Sequence, residues 1–187
     1  MGKEKVVYEC KCFDNLSKPA FENCEFYDCE FESVSFDSLK SNVFVDCKFN
    51  NCFLDNVSFS FSSLSNIEFN NCKIIGSSFA SLSSCREIIL KECNISYCLF
   101  NDQDFKDLII KKCKVFDCDF TRSKMVHASL TENRFDNSNF NFADLTGADF
   151  SMSFNYEIDP TKAIIKDAMF DSPEVLGLLK SFQIIIN

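Results

Sequence analysis

The stretch from Cys24 to Phe31, "CEFYDCEF", repeats itself after five residues: Cys-Glu-Phe, two residues, Cys-Glu-Phe. Cysteines set among carboxylates raise the question of a metal site. The same spacing also suits a structural repeat with small and large side chains in fixed places. The rest of the chain decides between them. From Leu90 every fifth residue is large and apolar: Leu90, Ile95, Phe100, Phe105, Ile110, Val115, Phe120, Met125, Leu130, Phe135, Phe140, Leu145, Phe150. A second ladder runs from Phe44 through Phe49, Leu54, Phe59, Leu64, Phe69 and Ile74 to Phe79, and a third from Leu16 through Phe21, Phe26 and Phe31 to Phe36. Only 46% of the residues are hydrophobic, so unbroken runs of this kind are not accidents of composition.

Neither the helical period of 3.6 nor the strand period of 2 generates a five-residue ladder. A backbone that turns after every few residues does. The position two before each rung is mostly small, as at Cys24, Cys29, Cys47, Cys52, Cys72, Cys93, Cys98, Cys113, Cys118, Ser123, Ala128, Ser138, Ala143 and Ala148. The intervening residues are mostly polar. One large and one small inward side chain per five residues describes one side of a coil, and four sides close a square of about 20 residues. The expected core ladder includes Phe26, Phe31, Phe49, Phe59, Phe100, Phe120, Phe140 and Phe150. Asn, Asp and Ser at the corners explain how the chain turns so often with only four Gly.

The stretch "ADLTGADFSM", Ala143 to Met152, resembles the motif of the pentapeptide-repeat family twice over, with "SNFNF", "CDFTR" and "CNISY" as looser copies. The resemblance implies an all-β solenoid, a right-handed quadrilateral β-helix. The expected organisation is an N-terminal cap over 1–15, a β-helix over 16–154, and final repeats with a C-terminal helix and strand over 155–187. The ladder breaks near 37–43, where "DSLKSNV" holds three extra residues, and near 80–89, where "ASLSSCREII" holds one extra residue with Cys85 as a poor rung. Both breaks are expected as small surface loops.

After Phe150 the register fades. "DSPEVLGLLKSF" reads as a short α-helix with Ser172 as N-cap and Pro173 in its first turn, followed by a β-type tail, "QIIIN". "NYEIDP", "IKDAMF" and "PEVLGLLKSFQIII" are similar to the ending of the Qnr-type quinolone-resistance branch of that family. That resemblance implies a homodimer through Val175, Leu176, Leu178, Leu179, Phe182, Ile184 and Ile186. It also implies an acidic, DNA-imitating rod that binds and modulates or protects type II topoisomerase, DNA gyrase or topoisomerase IV, against quinolones or toxins. Protective members of the branch carry sizeable projecting loops, which breaks of three and one residues do not supply.

The chain holds 28 acidic and 19 basic residues, a formal net charge of -9, which argues against direct nucleic-acid binding because phosphate recognition needs a basic surplus. The carboxylates expected to meet a partner are Glu22, Glu25, Asp28, Glu30, Glu32 and Asp37, a run without a base, and Asp136, Asp144 and Asp149 with Glu157 and Asp159 towards the other end. Lys111, Lys112 and Lys114 interrupt the middle, and ordinary solvation explains the carboxylates equally well. Tyr27, Phe53, Tyr97, Phe116 and Phe142 are expected to face outward. Catalysis finds no support: His127 is the only histidine, there is no phosphate-binding glycine loop, and a convex rod offers no cleft. The nine inward cysteines read as core fillers rather than metal ligands, and no cofactor is expected. No signal peptide or membrane-spanning run is present, so a cytoplasmic protein with reduced thiols is expected. The alternative function is a structural scaffold with a partner unrelated to DNA.

Overall fold

The computed structural model describes residues 5–19, 21–105 and 107–185 as a β-solenoid whose coils stack in parallel register. Each coil has four sides. The first side carries the rungs Phe26, Phe44, Leu64, Cys85 and Met125, and the second carries Phe31, Phe49, Phe69, Leu90, Ile110 and Leu130. An eight-stranded sheet covers both, since Val43–Asn50, Ser63–Asn70 and Ser84–Lys91 each bend over two sides. The third side is a six-stranded sheet of short strands: Ser35–Phe36, Phe53–Asp55, Lys73–Ile75, Asn94–Ser96, Lys114–Phe116 and Arg134–Asp136. The fourth is held by single bridges such as Ser58 to Ser78 and Leu99 to Asp119.

Inside, the rungs form columns of parallel rings. On the second side Phe31, Phe49 and Phe69 stack with centroids 4.6 and 4.8 Å apart. On the fourth, Phe59, Phe79, Phe100, Phe120 and Phe140 follow at 4.7, 4.8, 4.9 and 4.9 Å. The strand repeat of about 4.8 Å therefore sets the ring spacing, and rings on neighbouring sides meet edge to face, as Phe26 does with Phe31 at 5.4 Å. Phe26, Phe31, Phe49, Phe59, Phe100, Phe120, Phe140 and Phe150 are all buried.

The small positions do more than make room. The Sγ of Cys52, Cys72, Cys93 and Cys113 donates to the carbonyl of Phe31, Phe49, Phe69 and Leu90, at 3.3, 3.2, 3.3 and 3.4 Å. Ser77 does the same to Leu54 (2.8 Å), and the Asn133 amide to Ile110 (2.6 Å). Each donor satisfies a rung carbonyl left over at a corner of the coil below. Where alanine occupies the position, the rung carbonyl accepts from the alanine N–H in the same coil, as Met125 does from Ala128 (3.1 Å) and Leu145 from Ala148 (2.9 Å). Cysteine is thus small, apolar and a donor, which suits a buried corner.

Almost every corner has a left-handed residue two after the rung, among them Asp46, Asn51, Asn56, Asn66, Asn71 and Asp117, with Gly at only Gly76 and Gly147. Asn and Asp tolerate this conformation better than other non-glycine residues. At Gly147 a side chain would also collide with His127, which lies over it in the preceding coil.

Several expectations need correction. Residues 6–14 are not a separate cap: Val6–Glu9 and Cys12–Asp14 are the first coil, with Tyr8 stacked on Phe26 (5.1 Å) and Phe13 on Phe31 (5.0 Å). Leu16 is no rung but lies one residue before Ser17, which pairs with Ser35, and it is exposed. The break near 37–43 holds no insertion. Phe26 pairs with Phe44, so that coil has 18 residues, and Leu39, fully buried, supplies a rung only three after Phe36. One side is two residues short, and the result is a notch rather than a loop. The second break does hold one extra residue: Leu64 pairs with Cys85, 21 positions on, and Cys85 is only half-buried.

The C-terminal helix is a 3-10 helix, Glu174–Phe182, with no side-chain cap from Ser172; left-handed Gln183 ends it. Gln183 to Ile185 form no strand, and Ile186 and Asn187 lie outside the described residues. Gly177 lets the helix backbone lie on Tyr156, because a Cβ there would sit 2.7 Å from the Tyr156 carbonyl oxygen.

Replacing Phe49 by Ala is expected to cost about 3–5 kcal/mol by opening the ring column. Cys72→Ala is expected to cost about 1–3 kcal/mol through the orphaned Phe49 carbonyl, with Cys72→Ser much closer to the parent. Urea unfolding of the three variants measures the ranking.

Candidate docking surfaces on the outer faces

Outward side chains stand one before, one after and two after each rung, so each position becomes a column along the rod. The sequence-predicted carboxylates do not share a column. Glu22 is on the fourth side, Glu25 and Asp28 on the first, Glu30 and Glu32 on the second, and Asp37 on the third, a belt around one coil. Asp136, Asp144 and Asp149 likewise fall on three different sides. Several are already engaged. Lys5 Nζ reaches Glu25 at 2.5 Å and Tyr27 Oη donates to it at 3.1 Å, which together hold the Glu25 carboxyl below the usual carboxylate range. Lys18 pairs with Asp37 (3.0 Å), and Arg134 and Asn155 contact Asp136 (2.5 and 2.7 Å). Asp144 and Asp149 accept from Thr146 and Ser151. Glu22 and Glu30 form no ion pair among the described residues.

What the coil does align is the corner column between the first and second sides: Asp28, Asp46, Asn66, Glu87, Asp107, His127, Gly147 and Asp167. All are left-handed, and all but Gly147 are exposed. Five of these eight positions are acidic and none is Lys or Arg. The backbone explains an Asx residue there, but Asn serves that geometry equally well at Asn51, Asn56, Asn66 and Asn71, so the charge is not a folding requirement. The Asn66 amide donates to Asp46 (2.7 Å), and Arg86 approaches Glu87 only to 3.8 Å. Asp46, Glu87, Asp107 and Asp167 escaped sequence reading because they lie one to three coils apart in the chain; only the coil register brings them into line.

The notch made by the short side is an open groove of about 510 Å³ lined by Lys18, Phe36, Asp37, Phe53, Asp55 and Asn56. Of the aromatics expected outside, Phe53, Tyr97 and Phe142 are exposed and Phe116 is just so, while Tyr27 is half-buried on Glu25; Phe61, not anticipated, is 71% exposed. At the C-terminal end Val175, Leu176, Phe182 and Ile184 are exposed, Leu179 half-buried and Leu178 buried. Met152, Phe154, Ile164 and Met169, on different sides of the last coils, are also exposed, and Lys180 clips the helix to Glu157 (2.6 Å).

The thiols are placed for packing. Cys24, Cys29, Cys47, Cys52, Cys72, Cys93, Cys98, Cys113 and Cys118 are buried, and burial pushes the Cys47 thiol up to about 12. Cys113 is pushed up by its hydrogen bond with Cys93 and by burial. Among the described residues no three His, Cys, Asp or Glu side chains converge to hold a metal, and no helix is long and apolar enough to cross a membrane.

A four-sided coil with one large and one small inward residue per side defines a pentapeptide-repeat β-solenoid. Residues 113–151 match the family model for pentapeptide repeats in eight copies, and residues 4–95 match the model described as a right-handed beta helix region. Among solved structures, a trypsin-treated variant of QnrB1, described as a plasmid-mediated fluoroquinolone resistance protein, is 16% identical with a TM-score of 0.52, over 97% of this chain and 100% of that one. Full-length QnrB1 is 14% identical with a TM-score of 0.49, over 95% and 100%. HetL, a pentapeptide repeat protein involved in heterocyst differentiation regulation from the cyanobacterium Nostoc sp. strain PCC 7120, is 8% identical with a TM-score of 0.46, over 89% and 86%. At these identities the likeness concerns the fold alone. No curated protein matches the sequence.

Exposure predicts the thiol chemistry. Native protein is expected to show one fast-reacting thiol with an aromatic disulfide reagent near neutral pH, Cys12, with Cys10, which Asp28 holds protonated, and half-buried Cys85 slower. All twelve should react after unfolding in guanidinium. Rapid reaction of six or more thiols in the native state would contradict the buried-ladder placement.

Proposed function

We propose that this chain is a non-enzymatic docking rod whose acidic edge occupies the DNA-binding surface of a protein partner, with type II topoisomerase, DNA gyrase or topoisomerase IV, as the foremost candidate. The observation that carries the reading is the column Asp28, Asp46, Glu87, Asp107 and Asp167. Carboxylates on a straight, rigid edge present a repeating negative potential to a cationic groove shaped for phosphates. Sharing a fold with QnrB1, a fluoroquinolone resistance protein, supports topoisomerase as the first partner to test. The outcome of binding is modulation of the enzyme or its protection from quinolones or toxins. Twelve unpaired thiols support a cytoplasmic location.

The same proposal includes a homodimer through the C-terminal module. Val175, Leu176, Phe182 and Ile184 leave an apolar end uncovered, and an isologous two-fold contact is the commonest way to bury such a patch. A scaffold for a partner unrelated to DNA is the second reading. The mixed charge of the second and third sides favours it: Lys91 pairs with Glu68 at 3.1 Å and Lys111 with Glu132 at 3.0 Å.

Supercoiling by purified gyrase, with and without ciprofloxacin, across a titration of this protein tests the first reading. The parent is expected to change supercoiling or drug-trapped cleavage. The triple variant Asp46→Asn, Glu87→Gln, Asp107→Asn is expected to lose at least about tenfold in potency while keeping its melting temperature. No effect of the parent at about 10 µM would reject the topoisomerase reading. Light scattering is expected to give a dimer mass, reduced to monomer by Leu176→Asp; a monomeric parent at that concentration refutes the dimer.

A further inference from the structure

Around the corner between the second and third sides the sign of the surface reverses. Lys91 stands directly over Lys111, and Lys114 over Arg134, as paired residues of adjacent strands. Lys73 begins the latter column, separated from Lys114 by Asn94. With Lys112 this corner gathers six bases against Glu68, Glu92, Glu132 and Asp136, in a chain where acids outnumber bases 28 to 19. Like charges directly opposite on adjacent strands destabilise a sheet, so neither stacked pair serves the fold.

The acids nearby offset the stripe only in part. Lys91 pairs with Glu68 (3.1 Å), Arg134 with Asp136 (2.5 Å), and Glu132 is shared between Lys111 (3.0 Å) and Lys112 (3.9 Å), while Lys73 and Lys114 form no ion pair among the described residues. Beside the basic column, Phe116 of the same six-stranded sheet and Tyr97, the corner residue just past Asn94–Ser96, meet edge to face at 5.5 Å and are 36% and 56% exposed. Aromatic and Arg side chains are the usual anchors of protein interfaces.

We propose that this third side is a second docking surface, which takes an extended acidic segment of a partner protein with an aromatic side chain seated against Tyr97 and Phe116. Charge complementarity selects the occupant, and size selects its class. Lys73 to Arg134 is three coil steps, about 14 Å, which an extended peptide spans with about four or five residues. A nucleic-acid strand spans it with only a few phosphates, too few for counterion release to hold it, and the acidic edge at the neighbouring corner repels the rest of its backbone. The surface is distinct from that edge and does not depend on which enzyme the edge engages.

Fluorescence anisotropy with the labelled peptide Glu-Glu-Phe-Glu-Glu, beside a labelled five-nucleotide DNA strand, tests the assignment on the full chain. The peptide is expected to bind saturably at low salt and to weaken severalfold between about 50 and about 200 mM salt. Lys111→Glu with Lys114→Glu is expected to weaken it at least about tenfold, and Phe116→Ser severalfold with the salt response retained. Lys40→Glu, on the fourth side, is expected to leave it unchanged. These side chains point outward, and a matching melting curve establishes that each variant is folded. The proposal is overturned if the parent fails to bind the peptide at about 1 mM, if the charge-reversed variant binds within about twofold of the parent, or if the oligonucleotide binds more tightly than the peptide.

Discussion

Every feature of this molecule depends on one constraint: large inward side chains must stack in register along the rod axis. The ring separations of 4.6 to 4.9 Å on the second and fourth sides match the spacing of paired strands, so core packing and backbone hydrogen bonding are satisfied by the same repeat. Once that register is set, corners follow. Each rung carbonyl at a corner needs a donor, and a thiol, hydroxyl, amide or local N–H supplies it. The residue after the corner must turn left-handed, and Asn or Asp often takes the place that glycine would otherwise fill.

The same register arranges the outside. Residues 18, 20 or 21 positions apart become neighbours, so a surface property is a property of columns rather than of runs in the chain. A straight acidic edge arises from Asp28, Asp46, Glu87, Asp107 and Asp167. A basic stripe with an aromatic pair arises one corner further round. A core built this way is indifferent to what its outer columns carry, which is why charge patterns that stability does not require point to partners. The shortened side between Phe36 and Leu39 adds a notch at one end, and the uncovered apolar helix at the other end suits a second copy.

Much of the fold was legible because the five-residue ladder is a local signal. Phe49, Phe100 and Phe120 are core for the reason their spacing implies. What escaped was non-local or depended on counting. A step of eight from Phe36 to Phe44 can be read as three too many or two too few, and only the burial of Leu39 decides. Tyr8 and Phe13 lie before the ladder becomes regular, since Lys18 replaces an apolar rung between Phe13 and Phe21. The candidate surface was less legible still. The run Glu22 to Asp37 looked like one patch because its acids are close in sequence, yet the coil distributes them over four sides. Asp46 and Asp107 looked unremarkable singly and gain meaning only in a column.

Disulfide trapping measures that register directly. Ser63 lies opposite Ser84, 21 residues on, in the coil that contains the extra residue. With Ser63→Cys and Ser84→Cys introduced together, mild oxidation and peptide mapping are expected to recover the 63–84 cross-link. Ser63→Cys with Ser83→Cys is expected to give little. Preferential cross-linking of 63 to 83 would mean an unbroken 20-residue coil, and the columns that form the acidic edge and the basic stripe would fall out of line.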